Sequence, residues 1–208
     1  MYNKYNYSLL SFFCVIIILP FIGLLSKIDF DINYIFNFLQ NSYLKRIIYF
    51  TVYQAFLSAL ISCIIAIPFA LALNRHKNKR LIKFIISLCG FTFVIPSILI
   101  VYAMIKLFGI NGFFNVYFNF SEIFSIKSIY GVKAILIAHI MLNTPFATRL
   151  FFQNLNSIPK KYYEISNSIN LSYWGNIKNL ELPIIKQNIF TIFAIIFSLC
   201  FLSFAIVM

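Results

Sequence analysis

Residues 47–73 read IIYFTVYQAFLSALISCIIAIPFALAL, a run without a single Asp, Glu, Lys or Arg. Coiled as an α-helix it is about 40 Å long, more than the ~30 Å of hydrocarbon that a membrane span must cross. A strand is ruled out there, because its edge N–H and C=O groups would find no partner in lipid. On one side the run stops at Lys45 and Arg46, and on the other at residues 74–80, NRHKNKR. A dense basic turn of that kind anchors a helix end on the cytoplasmic side of a membrane.

Four further stretches are long and predominantly apolar, with basic residues only near the ends of the second and third: Leu9–Leu25, Leu81–Leu107, Gly131–Phe152 and Ile189–Met208. No ten-residue alternation of apolar and polar residues supports a barrel. The expected fold is therefore an all-α, polytopic transmembrane helix bundle of about five spans. The first stretch could serve as a signal peptide behind Lys4, but it is long for that and no small-x-small cleavage site follows it, so it reads as a retained anchor.

The whole composition agrees. Hydrophobic residues make up 62% and charged residues 11% of the chain, against about half and about a quarter in soluble domains. The net charge of +12 suits a polyanion ligand, yet the charges lie in short gaps between apolar runs, which argues against nucleic acid as a partner. With the N-terminus inside, eleven of the lysines and arginines fall on the cytoplasmic side (Lys4, Arg75, Lys77, Lys79, Arg80, Lys83, Arg149, Lys160, Lys161, Lys178, Lys186). Six fall opposite (Lys27, Lys45, Arg46, Lys106, Lys127, Lys133). The asymmetry places the N-terminus in the cytoplasm.

Little in the spans suits catalysis. Cys14, Cys63, Cys89 and Cys200 sit inside apolar runs without CxxC or His/Cys spacing, so neither a metal site nor a disulfide framework is expected. His139 is the one histidine in a span, and no span carries an acid. No GxxxxGK[ST] run is present, so the chain holds no phosphate cradle of its own. No catalytic residue and no resident cofactor are expected. Pro20, Pro68, Pro96 and Pro145 lie within four of the spans and each is expected to bend its helix. His139, Asn143 and Thr144 form a polar group in the fourth span, His139 and Asn143 at helical spacing. Such a group marks either a hydrogen bond between helices or a transport pathway.

Gln153 to Asn188 has no run able to span. Pro159 suits the first turn of a helix. Tyr162, Ile165 and Ile169 then recur at three and four residues, giving one apolar face, and Asn170 suits a left-handed stop. A second segment, Tyr173 to Leu182, leads into Pro183 and the fifth span. The pattern describes a short amphipathic helix lying across the cytoplasmic surface.

The residues Ile158-Pro159, Glu164-Ile165-Ser166, Asn170 and Glu181-Leu182-Pro183 resemble the EAA loop of binding-protein-dependent ABC importer permeases. Ile165 and Ser166 stand where that pattern has alanines, and Asn170 where it has glycine, which asparagine replaces best in a left-handed turn. The resemblance implies that Pro159 to Gly175 is a coupling helix seated on a separate ATP-hydrolysing subunit. Pro159, Tyr162, Glu164, Ile165, Ser166, Ile169, Asn170, Gly175 and Pro183 would be the coupling residues.

Tyr53 to Ser62 (YQAFLSALIS), Ile137 to Leu155 and Leu199 to Val207 are similar to segments of the thiamine permeases of that superfamily, over about residues 42 to 207. Iron(III) permeases share much of the pattern. The resemblance implies a type I importer fold in a bacterial inner membrane, a secreted substrate-binding protein, an ATP-binding subunit carrying the ATP, and a second permease half. Five helices of a first half are present, so the bundle is expected to be incomplete alone.

Overall fold

A computed structural model of the chain describes residues 2–27, 40–92, 94–118 and 131–203, and every regular element among them is helical. The chain divides into two compact units, residues 1–48 and 49–208. In the first unit, α1 spans Tyr2–Leu25 with Pro20 inside it. Large apolar side chains from Phe12 to Leu25 are exposed all round this helix, as expected where the solvent is lipid. Ser26 closes it by donating to the Gly23 carbonyl at 3.0 Å. The start of α2 (Ser42–Arg75) also lies in this unit. Asn41 caps it, its side-chain oxygen accepting from the Tyr43 N–H at 3.0 Å.

The second unit holds the rest of α2, then α3 (Arg80–Phe91), α4 (Ser97–Phe108), α5 (Phe113–Phe118) and α6 (Val132–Asn156). After these come α7 (Lys160–Ser168), α8 (Tyr173–Asn176), a π-helical turn over Ile177–Glu181, and α9 (Leu182–Phe201). The core joins α2, α6 and α9. Ala55, Ala59, Ala66 and Ala70 are fully buried along α2, against Phe151 and Leu155 of α6 and Ile185, Ile192 and Ile196 of α9. The alanine stripe lets the helices approach closely, which is how apolar helices associate when lipid is as apolar as they are. Phe56 and Phe193 meet edge to face at 5.4 Å between ring centres.

Four helical stretches are long and apolar enough to cross a membrane: Ser42–Arg75, Ile98–Phe118, Val132–Asn156 and Tyr173–Phe201. The chain is a multi-pass helical membrane protein. The expected third span, Leu81–Leu107, is not one helix but two, α3 and α4. Pro96 stands at the N-cap of α4 with ψ 129° instead of bending a continuous helix. A proline disfavours helical geometry in the residue before it and cannot donate to the preceding turn. Thr92 ends α3 by donating its hydroxyl to the Cys89 carbonyl at 2.9 Å.

The expected loop 153–188 is also shorter than its apolarity suggests. α6 continues to Asn156, α7 lies within the loop, and the helical stretch of the last span starts at Tyr173, well before its expected start at Ile189. Lys178, Glu181 and Lys186 lower the apolarity there without breaking a helix, so the helix extends beyond its apolar part. Residues 204–208 of that span, and Lys127, lie outside the described residues.

Candidate functional site

α7 is a nine-residue helix between α6 and α8, and its two ends are locally specified. Pro159 is its N-cap, with ψ 140°, one residue ahead of the first turn. At the other end Asn170 has φ 51°, the left-handed conformation. The Leu171 N–H reaches back to the Ser166 carbonyl at 3.0 Å, and the Asn170 N–H to the Asn167 carbonyl at 3.0 Å. These are the two hydrogen bonds of a Schellman stop, with asparagine in the position that glycine usually takes.

The helix has two distinct sides. Tyr163 and Ser166, three residues apart, face inward, and the Ser166 hydroxyl bonds the side-chain oxygen of Asn176. Outward stand Tyr162, Ile165 and Ile169, with Ile165 56% exposed, together with exposed Glu164. Trp174, the one tryptophan of the chain, adds to the apolar surface at 74% exposure. Gly175 lies in α8, its N–H donating to Ser172 Oγ at 3.1 Å. A Cβ there would meet Leu171 Cδ2 and Ser172 Oγ, each at 3.3 Å. Pro183 occupies the first turn of α9, where its missing N–H costs nothing.

A polar knot holds α7 from behind, and the sequence pattern gave no sign of it. Glu181, in the π-helical turn, is fully buried and accepts from Arg75 Nη2 at 2.7 Å, while Arg75 is 22% exposed. Its other oxygen accepts from the Tyr163 hydroxyl at 3.1 Å, which itself accepts from Asn74 Nδ2 at 3.3 Å. The Arg75 guanidinium also lies 4.5 Å from the centre of the Tyr173 ring, a favourable cation–π contact. Burial pushes the Tyr163 hydroxyl above the ordinary tyrosine range, and the Glu181 charge adds to this against the opposing Asn74 and Arg75. The basic end of α2, the middle of α7 and the start of the last span are thereby fixed to one another.

The polar group in α6 is buried, one turn apart. Asn143 donates to Cys200 Sγ at 3.2 Å and lies in the wall of a cavity of about 260 Å³ with Thr92, Phe146 and Leu199. His139 is fully buried, and neither ring nitrogen has a hydrogen-bond partner among the described residues. Thr144 is partly buried. Three further polar side chains are fully buried on α2: Gln54, Ser58 and Ser62. Their spacing of four within an apolar run was a readable signal of one helix face.

Similarity to known proteins bears on the same segments. A family model described as "Binding-protein-dependent transport system inner membrane component" matches residues 64–208. The chain is similar to the thiamine transport system permease protein ThiP of Haemophilus influenzae, 34% identical over 168 residues, covering 81% of the chain and 31% of that protein. It is 34% identical over 169 residues to ThiP of Escherichia coli, with the same coverage. To ThiP of Brucella abortus it is 29% identical over 168 residues, covering 81% of the chain and 31% of the relative. The chain thus spans about a third of the length of the curated relatives it matches.

Proposed function

Because this chain belongs to the inner-membrane components of binding-protein-dependent transport systems, we propose that it is a membrane-spanning permease subunit of an ATP-driven importer. α7 is its coupling helix, seated on an ATP-binding subunit. The observation that carries this is the exposed apolar face of α7, with Ile165 56% exposed on a helix outside the long apolar spans. An apolar face left open beyond the lipid-facing helices fits a protein partner. The Arg75–Glu181 pair and the Tyr163 hydroxyl hold it to the spans, so force on α7 reaches α2 and α9 directly.

The substrate of this reading is thiamine or its phosphates, supported by the similarity to thiamine transport system permeases. A secreted binding protein delivers it from outside, and a second permease half completes the path. The N-terminus and the NRHKNKR turn face the cytoplasm, where the ATP-binding subunit is. His139 and Asn143 face other helices; the cavity beside Asn143 is where a pathway would open towards that second half.

The test is co-purification. The chain is expressed with the ATP-binding subunit and the second permease half, as wild type and as Ile165→Glu. A carboxylate on the docking face should abolish recovery of the ATP-binding subunit and thiamine-stimulated ATP hydrolysis, while membrane insertion stays normal. Equal recovery and equal stimulated hydrolysis in both would remove the coupling-helix assignment and leave a remnant that inserts without transporting.

A further inference from the structure

At the basic end of the spans lies a second cavity, of about 550 Å³, between the α2–α3 turn, α3 and the junction of α6 with α7. Three lysines line it: Lys77 from the turn, Lys83 from α3 and Lys160 from the start of α7. Among the described residues no carboxylate lines it. Among the described residues the carboxylates are Glu164 and Glu181, and Glu181 is already held by Arg75. Three lysines on one cavity make a positive surface that attracts an anion.

The walls also specify the kind of anion. Ile86 and Phe152 form an apolar side of the same cavity, and Asn156 adds a neutral amide. Lys83 and Ile86 are three residues apart, on one face of α3, so positive charge and apolar surface adjoin at one place. Leu81, Phe84 and Leu88 are exposed on the opposite face of α3. Lys77 is drawn inward, its ammonium 5.9 Å from the centre of the Tyr163 ring. A free inorganic anion would have no use for the apolar wall.

We propose that this cavity is a binding site for the headgroup of an anionic phospholipid, its phosphate between Lys77, Lys83 and Lys160 and its acyl chains along Ile86 and Phe152. Basic pockets between spans at the charged side of a membrane suit such headgroups. A lipid bound there bridges α3 and the first residue of α7, so it steadies the start of the coupling helix.

The full chain is purified in neutral detergent and mixed with dioleoyl phosphatidylglycerol or dioleoyl phosphatidylcholine, and lipid retention is read by native mass spectrometry. Wild type should retain phosphatidylglycerol selectively. Lys83→Ala with Lys160→Ala should weaken that retention by more than tenfold, from about fivefold per lysine. Asn156→Asp, which keeps all three lysines, should weaken it by repulsion. Lys178→Ala with Lys186→Ala, equal in charge lost but outside the cavity, should leave it unchanged. Circular dichroism confirms helicity for each variant.

Equal retention of the two lipids would overturn the proposal, as would equal loss in the two double variants, which means diffuse charge attraction only. Complete displacement by inorganic phosphate would make it a free-anion site and also overturn it. Occlusion of the cavity by the co-purified ATP-binding subunit, with phosphatidylglycerol expelled, would assign the surface to the protein partner instead.

Discussion

Removing the Glu181 carboxylate should free α7 from the rest of the chain. Glu181 is fully buried and holds Arg75 at 2.7 Å and the Tyr163 hydroxyl at 3.1 Å. Breaking a fully buried ion pair costs about 3–5 kcal/mol, and an exposed one contributes about 0–1. Arg75 keeps 22% of its side-chain surface open to solvent, so water partly re-solvates the orphaned guanidinium, and the loss for Glu181→Leu is about 2–3 kcal/mol. For a chain of this size that is a fall in melting point of about 5–10 °C. Cys63 and Cys200 are buried, Cys14 is exposed and Cys89 partly buried, so in a Cys14→Ser, Cys89→Ser background a thiol-reactive fluorophore reports unfolding in detergent. Arg75→Leu alone should fall similarly. The double variant should fall less than the sum, with a coupling of about 1–2 kcal/mol. Trypsin should also cut faster at Lys160 and Lys161 once α7 is loose. Additive losses within about 0.5 kcal/mol, or an unchanged cleavage rate, would refute the assignment of this pair as the anchor of α7.

Other outcomes follow from the same geometry. Asn170→Gly should leave stability unchanged or raise it by up to about 1 kcal/mol, because glycine takes the left-handed conformation without strain; Asn170→Val should lower it, both read by the same melting assay. Tyr163→Phe should cost about 1 kcal/mol at neutral pH. The raised ionisation of the Tyr163 hydroxyl means that its stabilisation is complete below the ordinary tyrosine range and is lost as pH rises through it. Wild type should therefore lose more stability than Tyr163→Phe between neutral and strongly alkaline pH, and parallel curves would contradict this. His139→Leu should melt at or above the wild-type temperature, since both ring nitrogens lack a partner among the described residues; a clear fall would mean a hydrogen bond formed within the chain. A cysteine at position 78 in a cysteine-free background should resist an impermeant reagent added outside intact cells, and rapid labelling would invert the topology.

The sequence carried whatever depends on neighbours along the chain. The apolar length of 47–73, the start of α7 at Pro159, its apolar face and its stop at Asn170 are each written in about ten to thirty consecutive residues. Local signals misled where helix and span differ. Pro96 began a new helix instead of bending one, and the last span's helical structure began at Tyr173 because lysines and a glutamate leave a helix intact while ending its apolar run. Composition identified lipid as the solvent, since most of the large apolar side chains that are exposed lie on the spans. Which polar groups meet was another matter. Glu181 and Arg75 are 106 positions apart, and no periodicity or motif links two residues at that distance. Nor could spacing tell that Ser166 turns inward to Asn176 while Ile165, its neighbour, points out. A helix presents every face with equal regularity, and only the packing of α2, α8 and the π-helical turn against α7 selects the one that is buried.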